Sequence, residues 1–498
     1  MKNKLLLCLG LLFLALSCQS PTEKSAPQTT DQPTDLPTGQ QQAGQPLNGA
    51  KQSVPDLEEQ VAYHRAFEAV VWAMPASAIT RFREGLYELP GVKDNVVIAF
   101  SGTLKPRHEV ITANTVTPYI AAFTNLTSGP MVVEIPAATD KASLYGQVVD
   151  AWQVTIAAVG PTGPDKGAGG KYLFLPPGYQ DPIPAGYFPI RSTSYRLALA
   201  FRSVAGKGAT QADAYAYTQT MKMYPLSEAA NPKATQFVDG LPLTINTLPY
   251  YDFRAIEDIH DLINVEPVDP RDKVMIGMLA AIGIEKGKPF NPSPKIKAAM
   301  ERGVVDAYHY MQEVTRKGLE ASLWWPDRHW AMVLVPDENR GFSFVTDRSV
   351  DIDKRAAIWF PAIFLPPIQD ENAGVVYLSA IADKNGNAVE AGKLYRIRIP
   401  KDTPAKQFWS ITVYDNATWA FIMNPQDRSG LGLFDRDKLK VNDDGSIDIY
   451  MGPKAPDGLE SNWIPTMNKK PVIWLRLYGP DTPFWQKSFT MPDIEMVQ

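Results

Sequence analysis

Any chemistry in this chain has to come from a few polar side chains set among aromatic ones. His329 stands in the run Trp324-Trp325-Pro326-Asp327-Arg328-His329-Trp330, where Asp327 could orient the imidazole for acid–base work. Asp150 precedes Trp152 by two residues and, with Asn114, Tyr119 and Tyr172, makes a candidate polar cluster, because a buried carboxylate needs donors and Asn and Tyr supply them. His329, Asp327 and Asp150 are therefore the catalytic candidates. Toward the C-terminus, Trp409, Asn462, Trp463, Trp474 and Arg476 combine flat apolar faces with planar donors, a mixture that suits a sugar or a lipid headgroup. These five join Asn114, Tyr119, Asp150, Trp152 and Tyr172 as ligand-binding candidates. Each has a plainer use: a histidine wedged among packing tryptophans, a structural polar cluster, tryptophans that fill a core.

Familiar catalytic motifs are missing. Gly341-Phe342-Ser343-Phe344-Val345 lacks the second glycine of a nucleophile elbow. The glycine-rich stretch from Gly160 to Lys171 has no phosphate-loop register and reads as an exposed loop. His64, His108, His260, His309 and His329 are too far apart in sequence for paired metal ligation, and Asn442 to Ser446 reads as a hairpin rather than a calcium loop. No metal site and no cofactor is expected. A net charge of −5 without basic clusters argues against a nucleic-acid partner.

The elements that must position these residues change character along the chain. Residues 57–88 repeat apolar side chains at helical steps through Val61, His64, Phe67, Val70 and Val71. From Asn95 to about Ala205, short apolar runs such as Val96–Phe100, Met131–Ile135, Gln153–Ile156 and Tyr172–Leu175 alternate with Gly and Pro, and Tyr195 to Phe201 shows one buried strand face. Helical spacing returns over about 209–322, with Lys273 to Ile284 and the stripe Ile296, Ala299, Met300, Gly303, Ala307 and Met311. From about Trp330 the period is two again, as in Tyr395, Ile397 and Ile399 or Ile473, Leu475 and Leu477. The 43 prolines and 34 glycines favour sandwiches and turns over bundles. The predicted fold is mostly β with a helical insert: an N-terminal immunoglobulin-like β-sandwich, a central α-helical domain and a C-terminal jelly-roll-like β-sandwich.

Ahead of these elements, Lys2 and Lys4, the apolar run Leu5 to Leu16 and small Ser17 before Cys18 read as a lipoprotein signal, with Cys18 the acylated residue. The competing reading is an ordinary secretory signal. Gln19 to Pro55 is rich in Gln, Pro, Thr, Ser and Gly, too polar to bury a core, and reads as a tether. Cys8 and Cys18 are the only cysteines, so a chain processed at Cys18 forms no internal disulfide. The expected division is a signal peptide at 1–17, a disordered tether at 18–56, a helix plus immunoglobulin-like domain at 57–208, a helical connector at 209–329 and a jelly-roll-like domain at 330–498. A lipid anchor implies a membrane partner and a place in the cell envelope. Gln19, where a retention signal would place Asp, points to the outer membrane, with the leaflet and the oligomeric state left open.

Several segments resemble one known family. Asn114-Thr115-Val116-Thr117-Pro118-Tyr119, Met131 to Pro136, Tyr145 with Asp150 and Trp152, and Tyr172-Leu173 are similar to the first half of a bacterial envelope family built from two paired domains of unknown function, twelve-fifty-four and twelve-fourteen. Phe408 to Asp415, Asn424 with Arg428, Asp444-Gly445-Ser446, Asn462-Trp463-Ile464-Pro465 and Arg476-Leu477-Tyr478 resemble the second half, and Leu279 to Phe290 the helical connector. The chain departs from the pattern at Val116, where the family has Asp, and at Ser429, where an aromatic residue follows the arginine. The resemblance implies an immunoglobulin-like domain, a helical domain and a jelly roll, and no settled activity. Three functions stay open: binding of a small organic ligand or glycan between the two sandwiches, hydrolysis of an ester, lipid or polysaccharide, and a structural or assembly role without a small ligand.

Overall fold

The Leu57–Tyr87 helix begins where Asp56 accepts a hydrogen bond from the Glu59 amide and where Glu58 and Glu59 face the positive end of the helix dipole. Its buried face differs from the expected one. Val61 is 43% exposed, and the small side chains Ala62, Ala66 and Ala69 lie in the core instead. The cause is close helix crossing: a Cβ on Gly303 of the Pro294–Glu320 helix would fall 2.4 Å from the Tyr63 carbonyl oxygen, so only small residues fit at that contact. In the second helix the predicted stripe is buried at Ala299, Met300, Gly303, Ala307 and Met311. Helices Phe253–Val265 and Ile352–Trp359 complete the layer. The computed structural model describes residues 56–339, 341–365 and 374–497; the signal, Cys18 and the tether to Pro55 lie outside them.

Two sheets form the N-terminal β region. The larger runs in the order Gln236–Asp239, Val96–Ala99, Tyr119–Asn125, Arg196–Ala205, Ala142–Val149, Thr155–Val159. The smaller runs Lys222–Pro225, Met131–Ile135, Gly170–Leu175, Phe188–Arg191. Val97, Ile120, Leu199 and Phe201 from the first meet Met131, Val133, Tyr172 and Phe174 from the second in one core. Gln153 does not start a strand; it sits at φ 60° in the preceding turn and its amide donates to the Pro75 carbonyl at 2.7 Å.

In the C-terminal region Trp330–Met332, Val375–Ala380, Pro471–Pro480, Ala405–Asp415 and Gly430–Gly432 form an antiparallel sheet in that order. Its inner face, Leu378, Ile411, Val413, Ile473, Leu475 and Leu477, packs on Ile397, Ile399, Ile449 and Ile464 of a four-stranded sheet. Where a mostly β chain is expected, the described residues are mixed, 28% helical and 27% strand, in several sheets without a barrel. The helices weigh more than their stretch of sequence suggests because they cover the second faces of both large sheets. Ile98, Phe123 and Ala198 on one side, and Tyr414, Val472 and Trp474 on the other, share a single core with them.

Candidate functional site

Where those second faces meet, strand alternation brings polar residues together. In the N-terminal sheet Tyr119, Arg202 and Tyr145 lie side by side on adjacent strands. In the C-terminal sheet Tyr377, Arg476 and Ser410 do the same, with Tyr478, Trp474, Thr412 and Tyr414 on the same face. Arg476 is 1% exposed. Its Nη1 donates to Thr412 Oγ1 at 2.7 Å, and its Nη2 to the carbonyls of Thr112 at 3.0 Å and Ala113 at 3.3 Å and to the Tyr414 hydroxyl at 2.5 Å. Those carbonyls belong to the N-terminal region, so one guanidinium ties both sheets to one loop. Half-buried Arg202 lies with Cζ 4.0 Å over the Tyr119 ring and donates from Nη1 to Thr117 Oγ1 at 2.7 Å.

The loop from Thr112 to Thr117 is the hinge of this arrangement. Thr112 adopts φ 39°, a left-handed conformation that a β-branched residue rarely takes. Three bonds hold it there: its amide donates to Trp419 O at 2.7 Å, its hydroxyl donates to Pro361 O at 2.9 Å, and its carbonyl accepts from Arg476. Asn114 closes the loop, taking the amides of Val116 and Thr117 on Oδ1 and donating from Nδ2 to the Tyr119 hydroxyl at 2.8 Å.

No carboxylate pairs with Arg202 or Arg476 among the described residues. Their charges fall on phenols instead. Burial alone would raise the Tyr119 phenol, yet Arg202 and Arg476 together bring it below its usual value. Burial raises Tyr377 and Tyr478, and both arginines oppose that rise. Arg476 Nε, Ser410 Oγ and Trp474 Nε1 are buried without a hydrogen-bond partner among the described residues. Such a site can receive an anion: guanidinium forks match a carboxylate, and phenol hydroxyls donate to it. Among the described residues it contains no pairing of a nucleophile with a base.

Of the residues singled out in the sequence, Asn114, Tyr119, Trp474 and Arg476 come together here. The others do not. Tyr172 is in the N-terminal core and donates to Asp165 at 2.5 Å, and Trp409 is in the C-terminal core. Asn462 bonds the Lys440 and Asp448 backbones, and Trp463 donates to Gly452 O at 2.9 Å. His329 is oriented by Asp493, whose Oδ2 is 3.0 Å from Nδ1, whereas Asp327 pairs with Arg328. Arg202, Tyr145, Tyr377, Tyr414 and Tyr478 were missed. Their one signal was a polar or aromatic residue at the outward positions of alternating strands, which Arg396 and Arg398 show equally while bonding Glu495 and Asp448 in a different sheet.

Asp150 and Trp152 sit apart, beneath the long helix. Asp150 accepts the Trp152 and Val154 amides at 2.9 Å each, and the Trp152 ring lies 4.8 Å from Trp72. Burial pushes the Asp150 carboxyl up from 3.8 to about 6, against those amides. The native state therefore binds more protons than the unfolded chain between these values, and stability falls as pH rises through that window. Asp258, pushed up to about 6 chiefly by burial, adds in the same sense. Asp150 alone supplies on the order of 3 kcal/mol below the window that is lost above it. Asp150→Asn should flatten the fall in urea midpoint between about pH 4 and about pH 6; an unchanged slope would clear Asp150 as a source.

The fold and site define a protein of two β regions joined through helices, with two arginines and several tyrosines gathered at the junction. The model described as Protein of unknown function (DUF1254) matches residues 95–225, and that described as Protein of unknown function (DUF1214) matches residues 374–482. The two matches follow one another in this order, a paired architecture of unknown-function domains. No curated protein matches it. The crystal structure of the VPA0106 protein from Vibrio parahaemolyticus is similar at 18% identity with a TM-score of 0.51, covering 88% of this chain and 100% of that one. An uncharacterized protein from Burkholderia cenocepacia aligns at 11% identity with a TM-score of 0.38, over 89% of this chain and 96% of its own. The first likeness concerns the fold alone. Among the described residues no helix is long and apolar enough to cross a membrane, and no group of three His, Cys, Asp or Glu could hold a metal ion.

Proposed function

We propose that this protein is a cell-envelope lipoprotein, held at the outer membrane through Cys18, that binds a small organic anion in the cleft between an immunoglobulin-like and a jelly-roll-like sandwich. The observation that carries the binding is that Arg202 and Arg476 both act on the phenols of Tyr119, Tyr377 and Tyr478, with no carboxylate partner among the described residues. Removing two cations from water costs free energy that phenol hydroxyls and carbonyls offset only in part. An incoming carboxylate offsets the rest. Arg202 and the phenols of Tyr119, Tyr377 and Tyr478 supply its contacts, and their rings favour an organic acid over an inorganic ion.

A thermal-shift series on the full chain with acetate, succinate, benzoate and their neutral amides tests this. An acid at about 100 times its Kd should add about 2.7 kcal/mol, the amides nothing, and salt should weaken the effect. No shift with any acid would remove the binding reading and leave an assembly component. The hydrolase reading has one arrangement in its favour, His329 with Asp493, but no hydroxyl donates to its Nε2 among the described residues. Anchoring is tested separately: the Cys18-containing fragment from the membrane fraction should carry acyl mass, and an unmodified fragment would refute the anchor.

A further inference from the structure

The Thr112–Thr117 loop borders a second space. A cavity of about 330 Å³ lies between the Thr103–Pro106 loop of the N-terminal region and the Gln426–Gly430 loop of the C-terminal one, with Thr115 in its wall. That volume is at the lower end of the roughly 300–1,000 Å³ typical of small-molecule sites, room for one sugar ring rather than a chain of them.

Its lining is polar and leans cationic. Asp427 is engaged by Arg107 at 3.4 Å and Lys105 at 4.0 Å, and Asp435, which accepts the neutral Gly432 amide at 3.0 Å, keeps one negative charge in the wall against Arg428 and Lys438. Arg428 spends Nη1 on the neutral carbonyls of Glu460 at 2.7 Å and Trp463 at 2.9 Å, so its charge is not cancelled. Lys438 in the wall pairs with no carboxylate among the described residues. Two residues of the lining carry hydroxyls that are buried behind its surface without a hydrogen-bond partner among the described residues: Ser429 Oγ, on a residue 3% exposed, and Thr115 Oγ1. A buried hydroxyl left alone costs about 1–3 kcal/mol, so a ligand with hydroxyls of its own is favoured over an apolar one. At the edge Phe434 is 50% exposed, offering a flat face of the kind that covers sugar C–H groups.

We propose that this cavity is a second binding site, for a monosaccharide bearing one anionic group, as in a uronic acid or a sugar phosphate. Lys438 and Arg428 take the anion, Ser429 and Thr115 the ring hydroxyls, and Phe434 the apolar ring face. The site stands whether or not the arginine cleft binds a carboxylate.

Isothermal titration of the full chain with D-glucuronate, glucose 6-phosphate and neutral glucose decides it. One of the anionic sugars should bind, with glucose weaker by about tenfold or more. Lys438→Glu, at an exposed position where the fold tolerates it, should weaken that sugar by about tenfold or more, and Arg202→Ala should leave it unchanged. Ser429→Phe should abolish it by filling the cavity; if circular dichroism shows that this variant does not fold, Lys438→Glu carries the test alone. No binding of either anionic sugar at millimolar concentration, or equal affinity in Lys438→Glu, overturns the proposal. So does binding lost in Arg202→Ala but kept in Lys438→Glu, which would place the sugar in the arginine cleft.

Discussion

Arg476→Ala is expected to lower the unfolding free energy by about 3 kcal/mol or more and to abolish anion binding, whereas Arg202→Ala abolishes binding and shifts stability by less than about 1 kcal/mol. The difference lies in what each guanidinium leaves behind. Without Arg476, the Thr112 carbonyl, the Tyr414 hydroxyl and Thr412 Oγ1 lose a buried charged donor, and Thr112 is released from one of the three bonds that hold it at φ 39°. Without Arg202, Thr117 Oγ1 loses a bond and the Tyr119 phenol loses the nearer of its two cations, at a half-buried position that water can reach. Urea midpoints of the two variants, read beside the acid titration, check both halves. Equal stability in the two would mean that Arg476 does not clamp the loop.

Trp72→Ala should be the most damaging substitution away from the cleft, at about 3–5 kcal/mol. The indole is 2% exposed and packs on Trp152. Its Nε1 donates to Asp272 Oδ1 at 2.9 Å, and its carbonyl accepts from Arg355 Nη2 at 2.7 Å. Arg355 is itself pushed down to about 10, chiefly by burial, and still carries its charge at neutral pH. Truncation leaves a cavity and also strips a donor from a buried carboxylate, which among the described residues keeps Arg271 Nε at 3.2 Å. Trp72→Phe separates the two terms. It restores most of the volume and should cost about 1–3 kcal/mol through the lost N–H. If Phe and Ala prove equally destabilising, packing contributes little at this position.

The sheets and helices were largely legible because each carries its own period. Tyr395–Ile399 alternates as written, and the stripe from Ala299 to Met311 is buried as written. Which face of the first helix turns inward was not legible, since Val61 is more hydrophobic than Ala62 or Ala66 and only the closeness of the Gly303 crossing explains why the smaller residues win. The same held for the site. Alternation identified the inward set Leu197, Leu199 and Phe201 and left Arg202 looking like an ordinary solvent-facing residue; likewise Leu475 and Leu477 beside Arg476.

On its own, the amino-acid order determined the paired-domain architecture, the helix and strand periods and four of the residues now found at the junction of the two sheets. Only tertiary structure decided that the outward faces of two distant sheets are inward faces of the molecule, and that Arg202 and Arg476, 274 residues apart by numbering, share one set of phenols. The physical reason is that a strand's period records which side chains leave water on its own sheet. It carries no trace of a second burial, made later, when helices and another sheet close over the face that the period assigns to solvent.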